Sequence, residues 1–291
     1  MSQALQALGL GKGDKVASLA MNHARHLVSW FGVAGMGGVL HTCNPRLFED
    51  QLEYIVNHAE DKVMIYDAAF QPIVDKMRDK WPTVEHYICF DSGEQTTSFE
   101  DWIGEQDGDF EWVDGDERDP CMICYTSGTT GNPKGVVYTH RSNVLHAMTV
   151  QTPDMLGLYS KDRMMPVVPM FHANGWSTAY STPMAGASMV MPGNNMTPAG
   201  LYEMLEHGVT ITAAVPTVWL ALLQYLDAEQ KSFSTLERVV IGGSSCPRAV
   251  IEAFQDNYGV QVIHAWGMTE LSPLGTICTF KPEVLALDPK A

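Results

Sequence analysis

The chain has 291 residues, of which 45% are hydrophobic and 18% charged, so it can bury a large core and is not expected to be disordered. Its formal net charge of −16 disfavours a broad surface for nucleic acid or anionic lipid, although a local cationic pocket could still hold a small anion. Six cysteines are too few for a disulfide scaffold in a chain of this length, and no secretory signal precedes them, so we expect a cytoplasmic protein.

The most apolar stretch lies early in the chain, over residues 28–40. Four glycines interrupt this stretch, and it is shorter than the roughly 20 apolar residues that a membrane span needs. We interpret it as a buried helix with the turn that follows, and we expect no integral membrane segment.

Short apolar runs alternate along the chain with stretches whose apolar residues recur at helical spacing. In the first part we predict helices over residues 2–10, 22–36 and 48–59 and strands over residues 16–20, 38–41, 62–66 and 84–90. Further on we predict strands over residues 122–126, 136–139, 164–168, 187–191, 211–214, 239–241 and 260–264, and helices from about residue 142 and over residues 197–207, 215–226 and 248–258. This alternation predicts an α/β fold with mostly parallel sheets flanked by helices.

Residues 91–119 are rich in aspartate and glutamate and contain few long apolar runs. Such a segment can serve as an interaction tail, but a solvated and partly helical surface is the commoner outcome. We therefore predict an exposed surface excursion here.

The most informative segment is residues 125–135, YTSGTTGNPKG, which directly follows a predicted strand. Glycines let the backbone approach an anion closely, hydroxyl groups add hydrogen-bond donors, and a lysine adds a compact positive charge. The spacing does not fit the G-x-x-x-x-G-K-[ST] pattern of P-loop proteins. The segment therefore predicts a phosphate-binding loop of another kind.

This string resembles, nearly position for position, the signature loop of the adenylate-forming superfamily, which includes acyl-CoA synthetases, peptide-synthetase adenylation domains and luciferases. The resemblance implies that the loop binds the β- and γ-phosphates of ATP and that Thr126 also helps to place Mg²⁺. The residues implied in cofactor binding are Thr126, Ser127, Gly128, Thr129, Thr130, Gly131 and Lys134, and Lys134 is also implied in catalysis.

Two later stretches, residues 239–247 and 264–270, are similar to further motifs of the superfamily in their order and spacing. They imply that Gly243 and Ser244 lie along the adenine, and that His264, Ala265 and Trp266 border it or stack on it. They also imply that Thr269 contacts phosphate and that Glu270 is a Mg²⁺ ligand, both as catalytic residues. Carboxylate and hydroxyl oxygens suit Mg²⁺, and an indole offers a broad stacking face.

A third stretch, residues 168–176, resembles the motif beside the acyl pocket of medium- and long-chain fatty acyl-CoA synthetases. It implies that His172 borders the substrate carboxylate with a catalytic role, and that Ala173 and Trp176 contact the acyl chain.

The resemblance implies an acyl-CoA ligase that joins a carboxylic acid, such as a fatty acid, to CoA through an acyl-adenylate, with ATP and Mg²⁺. We expect the chain to be a partial AMP-binding domain, truncated at both ends, with subdomains of about residues 1–145 and 146–291 and without the small C-terminal lid domain. Two alternatives stay open: a truncated nucleotide-binding remnant without turnover, and another adenylate-forming enzyme such as a methylmercaptopropionate–CoA ligase. A homodimer also stays open.

Two other patterns are interpreted as structural. Cys121 and Cys124 form a C-x-x-C pattern, but residues three apart on a strand point to opposite faces, so the thiols should diverge. His23 and His26 could share a helix face as metal ligands, but no partner is apparent in the sequence, and we predict surface histidines.

Overall fold

A computed structural model describes residues 1–91, 98–126 and 131–287 of the chain. The chain divides into two compact units. Unit 1 comprises Met1–Leu145 and Pro169–Ala179, and unit 2 comprises His146–Val168 and Tyr180–Ala291. The segment Pro169–Ala179 thus belongs to unit 1, although residues of unit 2 flank it on both sides in the sequence.

Unit 1 is built around a six-stranded sheet in the order β4-β3-β1-β2-β5-β6. Its strands are β1 Lys15–Leu19, β2 Val39–Thr42, β3 Asp61–Tyr66, β4 His86–Cys89, β5 Pro120–Thr126 and β6 Lys134–Thr139. Neighbouring strands pair in parallel, except that β6 runs antiparallel to β5. Parallel strands are covered on both faces, which is why β1 and β2 are almost continuously buried.

In the described residues of unit 1 the α-helices are α1 Ser2–Ala7, α2 Ala24–Gly35, α3 Glu49–Ala59, α4 Gln71–Met77 and α5 Phe99–Gly104, and α6 His140–Val150 begins in unit 1 and ends in unit 2. Helix α3 shows how the sequence sets the packing. Its buried residues Leu52, Ile55, Val56 and Ala59 recur at helical spacing and face the core that includes Trp81 and Tyr66.

Unit 2 contains a second six-stranded sheet, in the order β12-β11-β10-β9-β7-β8. Its strands are β7 Arg163–Pro166, β8 Ser188–Met189, β9 Ile211–Ala214, β10 Arg238–Ile241, β11 Gln261–Gly267 and β12 Leu274–Ile277. All neighbours pair in parallel except β11 and β12. The remaining helices are α7 Thr178–Met184, α8 Pro198–Leu205, α9 Pro216–Glu229, α10 Arg248–Glu252 and α11 Pro282–Leu285. The core includes Trp219, Phe254, Leu222 and Val239.

The amino ends of the unit 2 strands are joined by a buried polar network around Asp162. Its carboxylate pairs with the guanidinium of Arg238 and accepts a hydrogen bond of 2.7 Å from the Thr210 hydroxyl. Arg238 also donates to the backbone carbonyls of Leu156 and Gly157, each at 2.8 Å. Because both charged groups are satisfied, the network can stay buried at little net cost.

The predicted α/β fold with mostly parallel sheets is confirmed, whereas several local predictions need correction. The helix predicted over residues 248–258 is α10 followed by a π-helical turn, Ala253–Asn257. The predicted strand over residues 187–191 is reduced to the two residues of β8. Helices α4 and α7 and strand β12 were not predicted, because each is short and its sequence lacks a clear apolar period.

The acidic segment is exposed over residues 104–119 apart from a few half-buried side chains, as predicted, and α5 is its helical part. Within residues 1–91, 98–126 and 131–287, every helix is too short or too polar to cross a bilayer.

Candidate nucleotide and acyl site

Strands β5 and β6 form a hairpin that brackets the predicted phosphate loop. Thr126 is the register partner of Lys134. The Thr126 hydroxyl donates a hydrogen bond of 3.4 Å to the Lys134 carbonyl oxygen. The predicted phosphate ligands Ser127, Gly128, Thr129 and Thr130 lie outside the described residues. Gly131 is exposed beyond them. The hairpin therefore brings the hydroxyl residue at the start of the loop and the lysine at its end together.

The side chain of Lys134 is exposed, and its ammonium forms no ion pair with a residue that the structure describes. Its neighbour Gly135 faces Tyr125 across the hairpin, where a Cβ would lie 3.1 Å from the phenol ring. The lysine is thus held by the backbone pairing of β6 while its charge stays available for an anion.

The side chain of Tyr125, a residue of β5, is held by a hydrogen bond and a ring contact. Its hydroxyl lies 2.7 Å from Nδ1 of His58, and its ring centroid lies 4.9 Å from that of His41. His41 Nδ1 in turn lies 2.6 Å from the Asp61 carboxylate, and both side chains are fully buried. Burial lowers the pKa of His41, but the adjacent carboxylate outweighs this and raises the pKa well above its usual value. The hydrogen-bonded His41–Asp61 pair therefore packs against Tyr125, next to the start of the loop.

In unit 2, the predicted adenine residues lie at the carboxyl ends of two neighbouring parallel strands. Ile241, the last residue of β10, is the register partner of His264 in β11. Gly243 and Ser244 continue past β10, so strand pairing sets them beside the end of β11. Gly243 has φ of +80°, a conformation that glycine adopts without steric penalty. The structure thus brings these predicted residues together with Ala265 and Trp266.

Trp266 presents the broadest apolar face at this edge. Its side chain is 55% exposed, and its ring covers Gly275 of β12, where a Cβ would lie 2.7 Å from the indole. Ala265, its neighbour, is buried. A fixed and accessible indole is suited to stack on a planar heterocycle.

Thr269 and Glu270 lie in a short 3₁₀ turn, Thr269–Leu271, one residue after β11 ends. The Glu270 carboxylate is exposed and forms no ion pair with any residue in the described parts of the chain. The same parts contain no group of three or more His, Cys, Asp or Glu side chains arranged to hold a metal ion. A single free carboxylate fits Mg²⁺, because this ion is commonly held by one or two protein carboxylates together with substrate phosphates and water.

The predicted acyl motif contains a left-handed turn that the sequence analysis missed. Residues 173–177 all have φ between +44° and +65°. Gly175 adopts this conformation freely and asparagine tolerates it, whereas other L-residues pay about 1–2 kcal/mol each. Surrounding contacts must therefore impose the turn. The Thr178 hydroxyl donates to the Gly175 carbonyl at 2.6 Å, and the backbone N–H groups of Ala173 and Asn174 face the Cys124 sulfur.

The three predicted acyl-site residues, in or next to the turn, differ in their exposure to solvent. His172, just before it, is exposed, although nearby protein displaces enough water to lower the pKa of its imidazole. Ala173 is buried, and Trp176 is half-buried. At neutral pH the accessible His172 is therefore a neutral hydrogen-bonding group.

The predicted site residues are divided between the two units. Unit 1 holds the hairpin residues and His172, Ala173 and Trp176, while unit 2 holds Gly243 to Glu270. Within unit 1, the Cys124 thiol near the end of β5 lies 4.0 Å from the carbonyl of Phe171, so the hairpin and the acyl motif are in contact.

The two patterns that were interpreted as structural had different outcomes. The C-x-x-C thiols diverge as predicted: both are free, and Cys121 Sγ lies near Tyr138 and Asn143, whereas Cys124 Sγ faces the acyl motif. The prediction of surface histidines was wrong. His26 is fully buried, and its ring nitrogens lie 3.0 Å from the Ser18 hydroxyl and the Met21 carbonyl.

The fold defines an α/β protein with mostly parallel sheets, a class in which ligands commonly bind outside the carboxyl ends of the strands. Residues 1–290 match the family model described as AMP-binding enzyme. The chain belongs to this family.

Several known proteins are similar to the chain. It is 46% identical over 288 residues to a medium-chain-fatty-acid–CoA ligase of Ectopseudomonas oleovorans, covering 96% of this chain and 53% of the relative. It is 45% identical over 285 residues to a 3-methylmercaptopropionyl-CoA ligase of Ruegeria pomeroyi, covering 95% and 53%. The crystal structure of the anthranilate CoA ligase AuaEII with anthranoyl-AMP matches with a TM-score of 0.85 at 27% identity, over 95% of this chain and 54% of the other. The chain spans about half the length of these relatives.

Proposed function

We propose that this chain carries the nucleotide- and acid-binding residues of an ATP-dependent acyl-CoA ligase. The observation that supports this most directly is the β5–β6 hairpin, which pairs Thr126 with Lys134 at the two ends of the signature loop. Membership of the AMP-binding enzyme family and the similarity to named CoA ligases support the same reaction class.

In the proposed reaction, a carboxylate oxygen attacks the α-phosphorus of ATP and pyrophosphate leaves, giving an acyl-adenylate. The thiol of CoA then attacks the acyl carbon, forming the thioester and releasing AMP with the thiol proton passing to solvent. Catalysis of the first step is mainly positioning and charge stabilisation, so no protein nucleophile is needed.

The proposed roles of Lys134 and His172 use side chains that are exposed. The exposed ammonium of Lys134 neutralises charge on the β- and γ-phosphates, and the Thr269 hydroxyl contacts the α-phosphate. His172 lies before the left-handed turn as a neutral imidazole, so its N–H can donate to the substrate carboxylate. Trp266, with Gly243, Ser244, His264 and Ala265, borders the adenine.

Mg²⁺ is proposed as the accompanying ion. Glu270, through its free carboxylate, and Thr126, through its hydroxyl, supply hard oxygen ligands of the kind this ion prefers. When bound, the ion neutralises charge on the leaving pyrophosphate.

The proposed acid is a fatty acid. The half-buried indole of Trp176 and the buried methyl of Ala173 give the acyl motif apolar groups, which suit an alkyl chain. A short sulfur-containing acid is the second candidate, because the relative from Ruegeria pomeroyi is named for one. A cytoplasmic location is consistent with free cysteines throughout the described residues.

The test is ATP–pyrophosphate exchange with the chain in the presence of Mg²⁺, using short, medium and long fatty acids and 3-methylmercaptopropionate. Exchange that depends on one acid would support adenylation and identify the substrate class. ATP binding by calorimetry without exchange would support a nucleotide-binding remnant instead. If the chain shows neither exchange nor ATP binding, the proposal is wrong.

A further inference from the structure

Two buried asparagines connect the left-handed turn, residues 173–177, to the β5–β6 hairpin. The Asn174 amide donates from Nδ2 to Oδ1 of Asn143 at 2.6 Å, and Asn143 Nδ2 donates to Sγ of Cys121 at 3.2 Å. The Cys121 thiol in turn donates to the carbonyl oxygen of Tyr138, at 3.6 Å. The donors all point the same way, from the turn through α6 to β5 and then β6.

The residues of this hydrogen-bond network are buried. Asn174, Asn143, Cys121 and Tyr138 are at most 2% exposed. Oδ1 of Asn174 has no partner in the part of the chain that the structure describes, so Asn143 supplies the hydrogen bond that holds this side chain. Removing one partner would leave a buried amide without a hydrogen bond, which is unfavourable.

The turn depends on such contacts because its backbone is strained. Four of its five residues carry a Cβ at positive φ, and three of them, Ala173, Trp176 and Ser177, do not favour this conformation. Asn174 is the exception, since asparagine tolerates left-handed backbone. Its side chain also reaches α6, through Asn143.

We propose that Asn143 and Asn174 are positioning residues that hold the left-handed turn, and with it His172 and Trp176, in a fixed relation to the hairpin of Thr126 and Lys134. The pair touches neither proposed substrate and acts through the backbone that carries the acyl-site residues. Its catalytic consequence rests on the proposed function, whereas its effect on the turn does not.

The experiment uses the full chain with three variants and one control. Asn143→Ala removes the acceptor for Asn174 but leaves the sequence of the turn intact. Asn174→Gly keeps tolerance of positive φ and removes only the side-chain bond, so it is the variant most certain to fold. Asn174→Ala removes both the side-chain hydrogen bond and the tolerance of positive φ. Asn57→Ala is the control, because Asn57 donates a side-chain bond to the Lys80 carbonyl at 2.9 Å far from the turn in sequence.

The first readout is independent of activity. Histidine resonances are followed by NMR against pH, with His172 assigned from the spectrum of His172→Gln. In the unmodified chain the pKa of His172 should lie below the ordinary value of about 6.5. Asn143→Ala and both Asn174 variants should move it towards that value, because the imidazole leaves its partly desolvated position. An unchanged His172 titration in all three folded variants would overturn the proposal.

The second readout is the exchange reaction. The variants should raise KM for the acid by about tenfold or more, with KM for ATP nearly unchanged, because the turn carries acyl-site residues and the hairpin stays paired. Asn57→Ala should alter neither. Equal losses for both substrates would indicate general destabilisation and count against positioning. If the unmodified chain shows no exchange, the proposed function fails, and the NMR titration alone decides this inference.

Discussion

Thr126 and Lys134 are register partners in the β5–β6 hairpin, with the threonine hydroxyl 3.4 Å from the lysine carbonyl oxygen. This pairing fixes both ends of residues 127–133 at one place on the sheet edge. A hydroxyl and a cation on paired residues suit the phosphate-binding role that we propose for this loop, on a chain whose net charge is −16.

Lys134→Ala should weaken MgATP binding roughly 10- to 150-fold, which corresponds to the 1.5–3 kcal/mol of a hydrogen bond to a charged group. Folding should be unaffected, because the side chain is exposed. Titration calorimetry measures the affinity, with Lys161→Ala as the control, since Lys161 is also exposed and forms no ion pair with a described residue. Equal affinity of Lys134→Ala and the unmodified chain would remove Lys134 from the site.

Glu270→Gln should reduce the part of ATP binding that depends on Mg²⁺. The substitution keeps the size of the side chain and removes the charge that an ion would bind. ATP affinity is measured with and without Mg²⁺, and the ratio of the two affinities should fall towards one. The exposed Glu203, changed in Glu203→Gln, provides the control. If Glu270→Gln kept the full Mg²⁺ dependence, the metal-ligand role would be wrong.

The buried His26 should make stability fall in mild acid. Burial, with a smaller contribution from His23, lowers its pKa to about 4. The unfolded chain takes up a proton near pH 6.5, before the folded chain does, so the free energy of unfolding decreases as pH falls from about 6.5 to 4. At about 1.4 kcal/mol per pKa unit, the loss approaches about 3 kcal/mol.

Urea unfolding at a series of pH values between 7 and 4 measures this loss. His26→Gln should be less stable at pH 7, because Ser18 and Met21 lose their partner, but its stability should depend less on pH. His146, whose pKa is also lowered to about 4 by burial, contributes in the same direction in both proteins. An identical pH slope with and without His26 would contradict the prediction.

Asp162→Ala should destabilise the protein by up to about 3–5 kcal/mol, because it leaves the largely buried Arg238 guanidinium without its counter-charge. The Thr210 hydroxyl would lose its acceptor as well. Chemical denaturation measures the change, and Asp154→Ala, at an exposed position in the same unit, should change stability by less than about 0.5 kcal/mol. Similar effects of the two substitutions would show that the network is not important for stability.

The regular elements that position the site could be predicted because their signals are local. Strand β9 begins and ends where the apolar run 211–214 predicts, and the buried residues of α3 follow the helical period. The order of strands within each sheet and the antiparallel β12 could not be predicted in the same way, since pairing depends on contacts between distant segments.

The left-handed turn shows where sequence patterns stop being sufficient. The pair Asn174-Gly175 is a common signal for left-handed backbone, but it accounts for two residues at most. The turn also contacts Asn143 and Cys124, which lie far away in the sequence, and we propose that such contacts hold the conformation of Ala173, Trp176 and Ser177. The burial of His26 was missed for a related reason, because both of its partners precede it in a loop and strand.

The two ends of strand β10 lie next to different features of unit 2. Arg238, its first residue, belongs to the buried network, while Gly243 lies beyond its last residue among the proposed adenine contacts. At about 3.3 Å per residue, these positions are roughly 16 Å apart. Substitutions at the carboxyl edge would leave the network at the amino edge in place. The residues beyond the carboxyl ends of the strands can therefore change, by evolution or in the laboratory, while the stabilising network at the amino ends is kept.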